Sequence, residues 1–199
     1  MPRINYSPEP NTRLKKSLPL IMVGAGLVIL GTVSFFLLFK PGGMADTLAE
    51  DSNVRSVTPS VVSYPAPELS LNDLDGNLVS LSDYLGSVVL VNNWATWCPP
   101  CKEEMPTLQA YYSDHQADGF VLLAIEAGDP LPDVAAYVND NGLTFPVLLD
   151  PTTLALRAFN NDALPSSYVI DPKGTVRLAW TGPISLEKLE LYVSPLLED

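Results

Sequence analysis

Apolar and polar positions along this chain switch between short unbroken or alternating runs and a period near 3.6, and each switch marks the start of an element. Leu69–Leu71 and Leu78–Leu81 alternate about Asp75-Gly76, which predicts a β-hairpin. Ser82–Gly86 reads as a short turn or helix leading into Val88–Val91, an apolar, β-branched run expected of a strand buried on both faces. From Pro99 the pattern becomes helical, with Met105, Leu108 and Tyr112 three and four residues apart. Phe120–Ile125 and Phe145–Leu149 read as further strands, and Leu131–Asn141 and Thr152–Phe159 as helices. Ser167–Asp171 and Thr175–Trp180 flank Pro172-Lys173-Gly174 as a closing hairpin, followed by a terminal helix over Leu186–Leu197. Strand and helix alternate and the chain then ends in a hairpin and a helix, which predicts an α/β fold with a mixed sheet flanked by helices.

The first 65 residues follow a different pattern. Leu18–Phe39 carries no charge, and as a helix its 22 residues would run about 33 Å, enough to cross a hydrocarbon layer of about 30 Å. Arg3, Arg13, Lys15 and Lys16 precede this run and only Lys40 follows closely, a bias that places the N-terminus in the cytoplasm. The apolar region of a cleavable signal is shorter, about 7 to 15 residues, so the run reads as an uncleaved anchor, with Gly43-Met44-Ala45 as the alternative cleavage site. The expected organisation is a cytoplasmic tail at 1–17, a transmembrane helix at 18–39, a flexible linker at 40–65 rich in Pro, Gly, Ser and acidic residues, and one folded domain at 66–199. The folded domain is then extracytoplasmic and tethered to the lipid bilayer through Leu18–Phe39.

Charge narrows the partners. From Pro41 onward six Lys or Arg face twenty-two Asp or Glu, a balance of −16, whereas the first forty residues carry +4. So acidic a domain is repelled by nucleic acid, which excludes that class of partner.

The candidate chemistry lies where the central strand becomes a helix, at Trp97-Cys98-Pro99-Pro100-Cys101. Cys98 there occupies the cap region of a helix whose first turn aims free N–H groups and the positive end of the macrodipole at its sulfur, and Pro99 suits the first helical position. In such a setting a cysteine pKa falls from about 8.5 to between about 3.5 and 7.5, so Cys98 is the expected nucleophile. Cys101, one turn inward, is expected to be more buried, less acidic and placed to resolve the mixed disulfide. Structural zinc needs about four nitrogen or sulfur ligands, and two cysteines with His115 fall short, so no metal and no cofactor is expected. An inert bridge is the other alternative, although closing so small a loop removes little unfolded-state entropy. His115 itself, on a polar helix end, reads as solvent-facing. Trp94 reads as packed beneath the motif, and Trp97 as lining the exposed surface.

These residues resemble the thioredoxin superfamily, and within it the membrane-anchored TlpA/ResA/CcmG-like thiol-disulfide oxidoreductases. The likeness covers about Ala66 to Ser194. It is carried by the opening hairpin LSLNDLDGNLVSLSDYLG, the block VVLVNNWATWCPPCKEEMPTL, the later LPSSYVIDPKGTV, and an additional strand-helix segment between them. Pro106 stands eight residues after Cys98, where the family's active-site helix carries a kink-forming proline. The resemblance implies a thioredoxin-like fold and a redox-active Cys98/Cys101 disulfide. It also implies that Leu164-Pro165 is the cis-proline loop, which with Trp97, Pro99 and Pro100 offers the surface for an incoming peptide. The implied substrates are protein dithiols and disulfides, with apocytochrome c the best-known class, and the implied electron donor is a CcdA/DsbD-type membrane transporter. Pro99-Pro100 lacks the histidine of the superfamily's strong oxidants, which points to a reductant.

Two departures bear on mechanism. Asn92 stands where classical thioredoxins carry a buried aspartate, and an amide cannot act as a base. Another group must therefore manage the Cys101 proton, and the resemblance points to a carboxylate after the next strand, either Asp129, which the register favours, or Glu126. Asn93 replaces an aromatic usually found next. A peroxiredoxin-like peroxidase is an alternative activity, but its threonine three residues before the reactive cysteine and proline four before that are here Ala95 and Val91.

Overall fold

The computed structural model describes residues 56–198, and the predicted membrane span at Leu18–Phe39 lies outside them. Among the described residues no helix is long and apolar enough to cross a membrane. The strands are β1 (Ser60–Pro65), β2 (Ser70–Asp73), β3 (Leu78–Ser80), β4 (Val88–Trp94), β5 (Phe120–Glu126), β6 (Val147–Leu149), β7 (Ser166–Ile170) and β8 (Thr175–Thr181). The helices are α1 (Pro99–His115), α2 (Leu131–Asp140), α3 (Leu154–Ala158) and α4 (Leu186–Tyr192). Together the strands make one mixed sheet of order β1-β8-β7-β4-β5-β6-β2-β3.

The most apolar runs occupy the centre of that sheet. β4 is buried at every position and pairs in parallel with β5 and antiparallel with β7, so its side chains feed cores on both faces. Val88, Leu90 and Trp94 join Met105, Leu108 and Tyr111 of α1, Val134 of α2 and Leu189 of α4. Val89 and Val91, one residue out of phase, join Leu69 and Leu71 of the hairpin segment and Ala155 and Phe159 from the α3 segment. Parallel pairing of β4 with β5 requires a crossover, and α1 supplies it, which places the start of α1 at one end of the sheet's centre.

Most predicted elements form within a residue or two of their expected ends, including the 3-10 turn at Leu81–Tyr84. The linker assignment for 40–65 is corrected at its C-terminal end. Ser60–Pro65 forms β1, the sheet's edge strand, paired antiparallel with β8 through Ser60↔Ala179 and Tyr64↔Val176. Its side chains are almost all exposed, so no alternation of buried positions marks it in the sequence, and Pro65 suits an edge where one side of the strand needs no partner. His115 also departs from expectation. Its ring lies tilted against Tyr111 with centroids 4.4 Å apart and its Nε2 is 3.2 Å from Glu190 Oε1 of α4, which leaves it half-buried.

α3 is short and depends on a buried carboxylate. Asp150, 1% exposed, accepts from the Leu154 and Ala155 N–H groups at 2.8 and 2.7 Å, meeting two free donors of the first turn. Asp150→Ala is expected to lower stability by about 1–3 kcal/mol, measured as a fall in the urea unfolding midpoint.

Candidate active site

The turn between β4 and α1 brings the two cysteines to the surface end of the central strand. Cys98 is the N-cap of α1 in extended conformation, Pro99 and Pro100 open the helix, and the Cys101 N–H donates to Cys98 Sγ at 3.3 Å. The pair is joined as a disulfide with Cα atoms 5.3 Å apart. Cys101 is wholly buried and Cys98 is 4% exposed, the order expected of a resolving and an attacking thiol. A peptide N–H is thus aimed at the Cys98 sulfur, with the positive end of a 17-residue helix behind it, a setting that favours thiolate over thiol.

Cys98 opens onto a cleft of about 360 Å³ lined also by Trp97, Pro99, Pro100, Ala127, Leu156 and Leu164, with Asp162 its one charged residue. Trp97 is 66% exposed beside the attacking sulfur, while Trp94 lies fully buried beneath the motif. The Leu164–Pro165 peptide is cis, as the resemblance implies; Leu164 lines the cleft and Pro165 is buried behind it. An apolar rim with few charges fits a protein segment presenting its own cysteine.

The two carboxylates expected after β5 take different parts. Asp129 Oδ2 accepts from the Thr96 N–H at 2.9 Å and from its hydroxyl at 2.7 Å, tying the residues before Cys98 to the β5–α2 loop. Burial alone would raise the Asp129 pKa, but the Thr96 hydroxyl, Glu126 and the Thr96 amide together hold it below the usual aspartate value. Asp129 is thus a fixed anion that braces the loop. Glu126, at the end of β5 with no exposed surface, receives the Asp129 N–H on both carboxyl oxygens at 2.9 and 3.1 Å. Burial, reinforced by hydrogen bonding with the Asp129 carboxyl, pushes Glu126 up to about 8. Of the two, Glu126 is the one that exchanges protons near neutrality.

A third carboxyl escaped the sequence reading. Glu104, three residues after Cys101 on the same buried face of α1, is 1% exposed. Its Oε1 accepts from Asn92 Nδ2 at 2.8 Å and its Oε2 from the Ile184 N–H at 3.3 Å, while Asn92 also donates to Ser167 Oγ at 3.0 Å. Burial pushes its pKa up to about 8 against the opposing pull of those donors. The amide on β4 therefore holds a titratable group on the helix, where it meets the face that carries Cys101. The signal was present in the pattern, since Cys101, Met105 and Leu108 define an apolar stripe and Glu104 falls on it. Asn93 makes the matching bond one residue on, from its Nδ2 to Ser166 Oγ at 3.2 Å, which accounts for a polar residue where an aromatic was expected. Among the described residues no cluster of His, Cys, Asp and Glu could hold a metal ion.

Comparison with known proteins agrees with this geometry. Residues 62–179 match the model of the AhpC/TSA family. The chain is 36% identical over 139 residues to the thiol-disulfide oxidoreductase ResA of Geobacillus kaustophilus, covering 70% of this chain and 80% of that protein. It is 27% identical over 188 residues to ResA of Oceanobacillus iheyensis, covering 94% of each. A solved thioredoxin-family thiol:disulfide interchange protein from Chlorobium tepidum superposes with a TM-score of 0.62 at 32% identity, covering 69% of this chain and 99% of that one.

Folded stability carries the imprint of the buried carboxyl. Because Glu104 titrates near 8 in the folded chain against 4.5 ordinarily, the native state holds a proton that the unfolded state has released. Stability therefore falls as pH rises through that window. Relative to wild type, Glu104→Gln is expected to gain in urea midpoint progressively from pH 5 to pH 8, and a difference independent of pH would refute the assignment.

Proposed function

This chain belongs to the AhpC/TSA family and, within it, to the ResA-like thiol-disulfide oxidoreductases, and we propose that it works as a membrane-anchored, extracytoplasmic reductant of protein disulfides. The observation that carries the reading is the Cys101 N–H aimed at Cys98 Sγ at the open end of α1. The Cys98 thiolate attacks one sulfur of a substrate disulfide lying in the cleft, forming a mixed disulfide and releasing the other substrate sulfur as a thiolate. Cys101, relieved of its proton, then attacks Cys98 Sγ, which frees the substrate dithiol and leaves the Cys98–Cys101 disulfide.

Glu104 is the proton partner of Cys101 in this reading. A carboxyl titrating at about 8 lies close to an ordinary thiol, so the proton passes between them with little uphill cost. Burial keeps both groups from exchanging directly with water. Glu126, also near 8, lies beside Ala127 in the wall of the cleft and is the second proton-exchanging group.

The wider setting follows from the amino-terminal sequence and the family likeness. Leu18–Phe39 anchors the domain, with the cationic tail on the cytoplasmic side. Outside the cytoplasm a reductant must be recharged continually, and a CcdA/DsbD-type transporter is the proposed donor. Apocytochrome c before haem attachment is the proposed substrate class.

Cys98→Ser is expected to abolish insulin-disulfide reduction, and Cys101→Ser to accumulate a mixed disulfide that reducing agent releases on a gel. Retained turnover by Cys98→Ser would sink the mechanism. In a plot of reduction potential against pH, the wild type is expected to show an inflection near pH 8 to which Glu104 and Glu126 both contribute, and Glu104→Gln to remove the larger part of it. Deleting residues 18–39 is expected to move the protein from the membrane pellet to the soluble fraction on cell fractionation.

A further inference from the structure

The loop joining β8 to α4 is bonded to both halves of the cleft's machinery. The Gly182 N–H donates to the Pro165 carbonyl at 2.8 Å, and two residues on the Ile184 N–H donates to Glu104 Oε2 at 3.3 Å. The loop's other side is held by residues 56–58, which precede β1. The Val57 N–H donates to the Pro183 carbonyl at 3.0 Å. Ser56 Oγ accepts from the Ser185 N–H at 2.9 Å and donates to Ser185 Oγ at 3.0 Å. Lys188 Nζ donates to Thr58 Oγ1 at 2.8 Å.

Packing seats the same contact. Val57 Cγ1 lies 3.0 Å from where a Cβ on Gly182 would be, so a larger residue would press the valine back, and Gly182 has a φ of +105° that other residues rarely adopt. Val57 also packs against the larger of the two cores. These three residues lie about forty positions before Cys98 and bond to neither cysteine nor carboxylate. Any effect they have on the chemistry passes through the loop.

We propose that residues 56–58 are a positioning strap for the redox site: by clamping Gly182–Ser185 they fix the backbone groups that orient the Glu104 carboxyl and the Pro165 peptide. The segment that joins the domain to the upstream chain is on this account part of the working site. The proposal rests on reading Glu104 as the Cys101 proton partner. Its physical basis is the length of the Ile184 bond: at 3.3 Å a small loop shift breaks it, and the ionised carboxyl then keeps only Asn92 as donor. Losing a donor disfavours the charged form, so the Glu104 titration moves upward.

Glu126, the other carboxyl pushed up to about 8, is bonded to the Asp129 N–H and not to this loop, so a shift of the loop leaves its titration in place. The groups around Glu104 do not compete for the effect. On its own helix face the neighbouring titratable group is Cys101, β4 presents Asn92, and β7 presents the uncharged Ser167. On α4, packed against α1, Glu190 is engaged with His115 and Ser194, Lys188 reaches Thr58, and Glu187 is exposed.

The test uses the full-length chain and reads reduction potential and insulin reduction as functions of pH. Ser56→Ala/Val57→Ala is expected to move the inflection upward by about half to one pH unit, a three- to tenfold change in the acid constant. Ser56→Ala alone, which removes only the two hydroxyl bonds, is expected to move it part of the way and Ser56→Thr to restore it. Val61→Ala, at an exposed β1 position, should leave it in place. A double variant with a lowered unfolding midpoint but an unmoved inflection would show the strap to be structural and overturn the proposal. Should the double variant fail to fold, an unmoved inflection in Ser56→Ala overturns it equally. Glu104→Gln separates the two ideas: if that change leaves the inflection in place, the reading of Glu104 itself is wrong, whereas its loss there with no shift in the strap variants refutes the strap alone.

Discussion

A peptide N–H aimed at a sulfur atom at the tip of a helix is the constraint on which the rest of this molecule depends. The Cys101 amide points at Cys98 Sγ because Cys98 caps α1, and α1 begins there because β4 ends at Trp94, four residues before that cap. Two prolines open the helix without removing a hydrogen bond, since the first turn has no intrahelical acceptors for its N–H groups. The field of the helix falls off within about a turn, so it acts chiefly on a sulfur held at the helix mouth, where Cys98 is. The sheet, with β4 held between β5 and β7, keeps this tip fixed while the cleft beside it stays open.

Proton management is built around the same helix. An aspartate on the central strand would be one way to serve Cys101, but here the strand carries Asn92 and the acid sits on α1 as Glu104. Asn92 contributes a donor that holds the carboxyl in place without adding a second charge to a water-free interior, where an unpaired ion is costly. A carboxyl raised to about 8 costs folding stability through the neutral range, which places Glu104 among groups kept for what they do. Asp129 and Glu126 show how finely such behaviour depends on neighbours. Three residues apart, one is held charged by the Thr96 donors and the other is kept neutral by burial and by the anion beside it.

Periodicity made the central elements legible. Val88–Val91, the α1 stripe, the β5 run and the closing hairpin bury their apolar residues in regular order, and a regular order of burial can be read from a single chain. β1 was not legible, because an edge strand with exposed side chains earns its place through backbone pairing with β8, and backbone groups are the same in every residue. His115 is only partly solvent-facing for a related reason: it pairs with Glu190, which lies 75 positions away.

At the site, local order along the chain determined where Cys98 and Cys101 sit, at the mouth and first turn of α1, because strand, turn and helix follow one another within a few residues. The exposed Trp97 and buried Trp94 follow from that local order too. Tertiary structure alone decided that Glu104 joins Glu126 in carrying a proton near neutrality. A side chain's pKa reflects what desolvates it and what donates to it, and for Glu104 those groups come from β4 and from the loop before α4, eighty residues downstream. Neighbours so distant in the chain are brought together only by the folded sheet.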